Sequence, residues 1–311
     1  MAPTVSGMSS RLHQVARENE EIAERGDYRA AGGRAVAVGG ALAAARAGTV
    51  AYGPGPDDVP PGAPAAVPAP GPGDLAAELT AGPTAGLTVG LTVEVTAEGS
   101  LEAADRLVRA GGTALPRVGV LNFASARNPG GGYLRGARAQ EEDLCRTALL
   151  YHCLLAAPDH YAAHRASTDL RYSHRVIFSP DVPVIRDGHG ALLARPYPVS
   201  FLTAAAPNAG QLALRGETAD LRGLLAERAT RVLAVAARHE VRQLVLGAWG
   251  CGVFRNDPAQ VAEAFAVALA SYGAAFERVV FAVRDRSPVS ANRAAFEARF
   301  GGVTRGRDSG A

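Results

Sequence analysis

The chain has 311 residues, 48% of them hydrophobic, which is ample for a sizeable core and in the size range of a globular enzyme. Its formal charge of +2 is too near neutral for nucleic-acid binding through bulk electrostatics, so an anionic ligand has to be met locally. All 32 basic residues are Arg, which removes Schiff-base lysine chemistry and a Walker-type phosphate lysine.

Cys145, Cys153 and Cys251 form no C-x-x-C pair, which argues against a disulfide framework and a Cys-rich zinc site. No run reaches about 18 uninterrupted apolar residues, and Met1 to Ser10 lacks a basic segment followed by an apolar core. Neither a membrane span nor a secretory signal is expected, and the expected location is the cytoplasm.

Ser9 and Ser10 offer an N-cap for a charged helix through about Tyr28, with Leu12, Val15, Ala16, Ile22 and Ala23 as its apolar side. The stretch from Tyr52 to Gly73 is crowded with Pro, Gly and Ala, a composition that predicts a flexible surface insertion within one domain. Leu87 to Val95 alternates like a half-buried strand, and Ser100 caps a helix through about Ala110. Val118 to Ala124 is the apolar run of a buried central strand, and it leads straight into Gly130, Gly131 and Gly132.

Seven residues after that triple glycine come Gln140, Glu141 and Glu142, at the head of a helix carrying Leu144, Ala148, Tyr151 and Leu155 at helical spacing, with Pro158 marking its end. Glycines let the backbone take positive φ and let a bulky ligand come close. Acids in a first turn can face such a ligand, or they can merely complement the helix dipole. Arg135 and Arg138, between glycines and acids, can contact phosphate or face water. The order lacks the G-x-G-x-x-G of a dinucleotide site and the G-K-[ST] of a P-loop.

Short strands follow at Arg175 to Ser179, Val182 to Arg186 and Val199 to Ala204, punctuated by Pro180, Asp187-Gly188 and Pro207. A helix from Thr218 to His239 and a strand from Val241 to Leu246 lead to a second glycine loop, Gly247 to Asn256, before Asp257 at an N-cap and Pro258 at N1. That loop can be a tight turn, or an anion site made by successive N–H groups beside a helix. Trp249 and Phe254 can pack on a ribose or base, or serve as core. The helix Pro258 to Tyr272, the strand Arg278 to Val283 and the helix Ser290 to Phe300 complete an α/β alternation that predicts a sandwich around a mixed, mostly parallel sheet. The seven His residues are scattered without a ligand cluster, and Ser125 and Ser179 sit in no G-x-S-x-G elbow.

The triple glycine, the spacer of seven and the Gln-Glu-Glu closely resemble the signature of poly(ADP-ribose) glycohydrolases of the shorter microbial type. Asn122 to Pro129, Phe178 to Asp187 and Gly247 to Pro258 resemble that family too, and the likeness spans roughly residues 10 to 300. It implies a macrodomain-like, three-layer α/β sandwich, to which only the Pro/Gly-rich insertion at about 52–73 looks foreign; one domain over residues 1–311 is expected, with a helical extension at about 9–50 and a frayed tail at 301–311.

The resemblance further implies an exo-acting hydrolase that releases ADP-ribose from poly(ADP-ribose). Glu142 would be the general acid and then the base that activates water, and Glu141 would hold ribose hydroxyls. Gly130, Gly131, Gly132, Asn128 and Gln140 would line the substrate. The backbone of Gly250, Cys251, Gly252 and Val253 would take the diphosphate, and Phe254 would position the distal ribose. No cofactor and no metal are called for. The implied partners are poly(ADP-ribose), ADP-ribose and ADP-ribosylated proteins or nucleic acid, with no membrane and a monomer as the expected state. A non-catalytic ADP-ribose reader and a mono-ADP-ribosyl hydrolase are the competing readings.

Overall fold

The computed structural model describes residues 5–55, 58, 90–112, 117–217, 220–285, 287 and 289–301. Apart from its first residues and Asp58, the Tyr52 to Gly73 stretch lies outside the described residues, as does the tail after Gly301. The strands are β1 (Asp27–Arg29), β2 (Ala35–Ala37), β3 (Val50–Tyr52), β4 (Thr92–Thr96), β5 (Val118–Phe123), β6 (Val176–Arg186), β7 (Leu192–Ala204), β8 (Gln243–Leu246) and β9 (Arg278–Ala282). β1 and β2 form an antiparallel ribbon. The other seven make the expected mixed sheet in the order β3-β6-β7-β5-β8-β9-β4, flanked by helices.

The chain forms two compact units with interleaved segments. The first comprises Met1–Gly53, Asn122–Thr168 and Arg175–Ala205. Its long helix, Val5–Arg25, begins ahead of Ser9 and ends at Gly26, whose φ of 81° breaks the helical path, so Tyr28 belongs to β1. The segment expected to be a helical extension therefore also holds the β1-β2 ribbon before the helix Gly39–Ala47. β3, β6 and β7 pair antiparallel. Pro180, expected to separate two strands, instead sits in a bulge of one continuous strand, where the register shifts between Ser179 and Val182. Asp181 takes a φ of 47° there, and its N–H donates to Ser200 Oγ at 3.1 Å.

The helix expected from Gln140 to Pro158 is broken. It comprises Gln140–Thr147, then Leu150–Leu154, and a third helix starts at Pro158 and runs to Ala166. At the break Ala148 is extended (φ −115°, ψ 160°), forms an antiparallel bridge with Val184, and the Leu149 N–H donates to the Pro183 carbonyl at 3.1 Å. A sheet partner thus replaces the helical bond. Asn19 fixes the end of the first of these helices, donating through Nδ2 to the carbonyls of Arg146 (2.8 Å) and Cys145 (3.3 Å) and accepting from Arg186 Nε at 2.9 Å.

The second unit comprises Pro54–Leu121, Asp169–His174 and Ala206–Ala311. β5, β8, β9 and β4 pair in parallel, and their apolar runs are buried as a two-sided sheet requires. The helices Arg222–Arg238 and Pro258–Tyr272 bury Ala-rich faces. Asp257 caps the latter by accepting from the Ala259 N–H at 2.8 Å, with Pro258 at the expected first position. Phe265, Phe281, Phe296 and Phe300 form an aromatic cluster, with Phe281 and Phe300 stacked at 4.4 Å. No helix among the described residues is long and apolar enough to cross a membrane.

Candidate active site

β5 is buried until Phe123, and the helix Gln140–Thr147 returns to its end through side chains. The Phe123 N–H donates to Gln140 Oε1 at 2.8 Å, the Ser125 N–H to Glu141 Oε2 at 2.7 Å, and Asn122 Nδ2 to Glu141 Oε1 at 3.2 Å. Asn122 Nδ2 also reaches Thr203 Oγ1 at 3.2 Å. The Gly132 N–H donates to Glu142 Oε1 at 2.8 Å. Three consecutive residues of the helix start are therefore each bonded to a different point on β5 or the glycine loop.

Gly130 and Gly131 adopt φ of 66° and 58°, a region costly for any residue with a Cβ. A Cβ on Gly131 would stand 2.5 Å from Glu142 Oε1 and 3.1 Å from Glu141 Oε2. One on Gly130 would press on Tyr151 Cδ2 at 2.9 Å, and one on Gly132 on the Ala137 Cβ at 2.5 Å. The glycines thus admit the two acids from one side and Tyr151 from the other. Their absence of side chains serves packing within the protein as well as any ligand.

Both acids are buried, Glu141 at 2% and Glu142 at 8% exposure. Burial pushes the Glu141 carboxyl up to about 8; the Ser125 N–H and Asn122 pull it down, and the neighbouring charge of Glu142 pushes it up. Glu141 has both oxygens engaged by donors, whereas Glu142 Oε2 is buried with no hydrogen-bond partner among the described residues. A carboxyl with one oxygen fixed by backbone and the other unengaged can deliver a proton to a ligand oxygen there and then take one from water.

The predicted residues Gly130, Gly131, Gly132, Gln140, Glu141 and Glu142 come together around the end of β5. Asn128 joins them through its backbone: its carbonyl accepts from the Gly131 N–H at 3.0 Å and its N–H donates to Ser125 Oγ at 3.2 Å. Asn128 is exposed, while Asn122 is fully buried with its Oδ1 unpartnered among the described residues. Asn122 is a candidate site residue that periodicity hides, because it sits inside the apolar run of β5. Its signal is an amide where a buried strand calls for an aliphatic side chain.

Gly250, Cys251, Gly252, Val253 and Phe254 lie in the second unit. Gly250 has φ of 72°, and a Cβ there would collide with Asn256 Nδ2 and stand 2.5 Å from the Ala206 Cβ. Buried Asn256 holds the loop by donating from Nδ2 to the carbonyls of Pro207 (2.8 Å) and Gly250 (3.1 Å). Gly252 and Val253 are exposed, Val253 at 82%, and a Cβ on Gly252 would meet nothing within 4 Å. Phe254 is half-buried, 6.0 Å from the Tyr172 ring. Trp249 is core, 1% exposed and tilted against Phe265 at 6.0 Å. Burial pushes the Cys251 thiol up to about 12, which makes it a poor nucleophile.

Residues 16–187 match the model of the microbial-type PARG catalytic domain. Among solved structures, the poly(ADP-ribose) glycohydrolase of Thermomonospora curvata bound to the inhibitor ADP-HPD is 43% identical with a TM-score of 0.77, covering 94% of this chain and 100% of its own. The Deinococcus radiodurans enzyme in complex with ADP-ribose is 40% identical with a TM-score of 0.68, covering 84% of this chain and 97% of its own. A comparison with curated proteins gives no match.

Proposed function

The chain belongs to the microbial-type poly(ADP-ribose) glycohydrolase family, and we propose that Glu142 and Glu141 divide the chemistry of hydrolysis in it. The polymer is joined by ribose-ribose glycosidic bonds. Glu142 Oε2 gives its proton to the bridging ribose oxygen as the bond from that oxygen to the anomeric carbon breaks, and the sugar passes through an oxocarbenium-like transition state. The resulting carboxylate takes a proton from water, whose hydroxide adds to the anomeric carbon. Glu142 is thereby reprotonated, and the products are ADP-ribose and a polymer one unit shorter.

Glu141, held by Asn122 and Ser125, orients ribose hydroxyls. Gly130, Gly131 and Gly132 run along the sugar, with Asn128 and Gln140 shaping that wall. The backbone of Gly250, Cys251, Gly252 and Val253 takes the diphosphate, and Phe254 positions the distal ribose. Exo-acting release, action on polymer carried by proteins or nucleic acid, a monomeric single catalytic domain and a cytoplasmic setting complete the reading.

The observation that carries it is the pairing of a backbone-fixed Oε1 with a buried Oε2 on Glu142 that is unengaged among the described residues. The test is turnover of poly(ADP-ribose) by Glu142→Gln alongside calorimetric binding of ADP-ribose. The variant is expected to lose ~10²–10⁴-fold in release while binding ADP-ribose as the parent does. Normal turnover would remove Glu142 from this role. Polymer binding without cleavage by the parent would mark a reader, and release confined to mono-modified substrates a mono-ADP-ribosyl hydrolase.

A further inference from the structure

The turn between the triple glycine and the acids carries two cations that this chemistry leaves unused. Arg135 and Arg138 are exposed, and neither has an ion pair or side-chain hydrogen bond among the described residues. Because every basic residue in the chain is Arg, residue type carries no weight here, and position has to make the case.

Position does so in two ways. The turn is rigid: the N–H groups of Arg135 and Ala137 both donate to the Gly132 carbonyl (2.9 and 3.1 Å), and Gly136 takes a φ of 71°. It is also anchored from below, where buried Arg146 donates from Nη1 to the Ala137 carbonyl at 2.8 Å and the buried Tyr133 hydroxyl donates to the Ala16 carbonyl at 3.2 Å. The turn stands beside the acid as well. The point that a Gly132 Cβ would occupy is 2.5 Å from the Ala137 Cβ and 3.6 Å from Glu142 Oε1. A pinned turn next to the proton donor thus presents to solvent two guanidinium groups with no partner among the described residues.

The leaving side of the bond in poly(ADP-ribose) is another ADP-ribose unit, with its own diphosphate. Glu142 and Cys145 are buried and Tyr151 packs against Gly130, so the leaving chain departs toward solvent. We propose that Arg135 and Arg138 bind the diphosphate of the unit on the leaving side of the bond, forming a subsite specific to polymer; this rests on the glycohydrolase reading above. Guanidinium groups suit phosphate oxygens, and on a pinned turn the main-chain cost of ordering them is already met. The subsite tightens polymer binding without assisting the chemistry.

The test compares the parent with R135A/R138A on poly(ADP-ribose) and on an ADP-ribose glycoside whose leaving group is a neutral nitrophenol, with no diphosphate beyond the bond. The variant is expected to raise KM for polymer about tenfold at low salt with kcat retained, and to flatten the dependence of log affinity on log salt by about 0.7 for each phosphate charge that the two guanidinium groups no longer neutralise. Its kcat/KM on the glycoside is expected to match the parent, and R135K/R138K to recover most of the polymer affinity. Unchanged polymer KM and salt slope would overturn the subsite, as would an equal loss on both substrates. Failure of the parent to cleave either substrate would instead overturn the glycohydrolase reading, and the subsite with it.

Discussion

The Gly132 N–H donates to Glu142 Oε1 at 2.8 Å, so the glycine loop fixes the position of the acid as well as leaving space beside it. Gly131 is the most constrained point of that arrangement. Gly131→Ala would put a methyl group 2.5 Å from Glu142 Oε1 on a backbone at φ 58°. A loss of about 1–3 kcal/mol in stability is expected from the backbone alone, together with a fall in kcat as Glu142 is displaced. Urea melts and polymer turnover check the two parts; turnover at the parent's rate would show that the carboxylate position is not set by this loop.

Glu141 predicts a pH dependence. Burial raises its carboxyl from the ordinary 4.5 to about 8 in the folded protein. Folding then favours the protonated form, so the stabilising contribution is full below about 4.5 and is lost as pH rises through about 8. In Glu141→Gln this slope is absent, and the stability difference between variant and parent should drift toward the variant across that window and flatten outside it. Taking the difference cancels the titration of groups that do not interact with Glu141. A difference constant from pH 4 to 9 would mean that Glu141 titrates alike folded and unfolded.

Asn122 predicts a split between chemistry and binding. Asn122→Ala removes a donor from Glu141 Oε1 and from Thr203 Oγ1, both at 3.2 Å. The buried acceptors left behind are expected to cost about 1–3 kcal/mol, and misplacement of Glu141 to cost up to ~100-fold in kcat. Affinity for ADP-ribose should change much less if, as proposed, the second glycine loop takes the diphosphate. A KM effect with unaltered kcat would assign Asn122 to binding instead.

The second loop predicts different stability outcomes for two of its glycines. Gly250→Ala collides with Asn256 and Ala206 on a backbone at φ 72°, so both stability and ADP-ribose affinity should fall. Gly252→Ala meets open space within 4 Å and should leave the melting temperature unchanged. If the backbone there carries a diphosphate, Gly252→Ala should still weaken ADP-ribose binding about tenfold, roughly 1.4 kcal/mol. Equal affinity in that variant would remove Gly252 from the site.

Features whose determinant is local are legible in the sequence. Asp257 and Pro258 mark their helix start because a cap and an N1 proline act within one turn. Val118–Phe123 is a strand because its apolar run has both faces buried. The glycines and acids were also evident as candidates, since spacing puts them on one loop and one helix start.

Asn122, the break at Ala148 and the bulge at Pro180 were not legible, because each is fixed by a partner far along the chain: Thr203, Val184 and Ser200 respectively. The same holds for the unlike surroundings of two adjacent glutamates. The sequence by itself determined the α/β order, the triple glycine and the carboxyl pair, all of which rest on local conformation and composition. Only the tertiary structure decided that Glu141 is held by donors on both oxygens while Glu142 keeps one oxygen unengaged among the described residues, because burial and hydrogen bonding are set by which segments pack together.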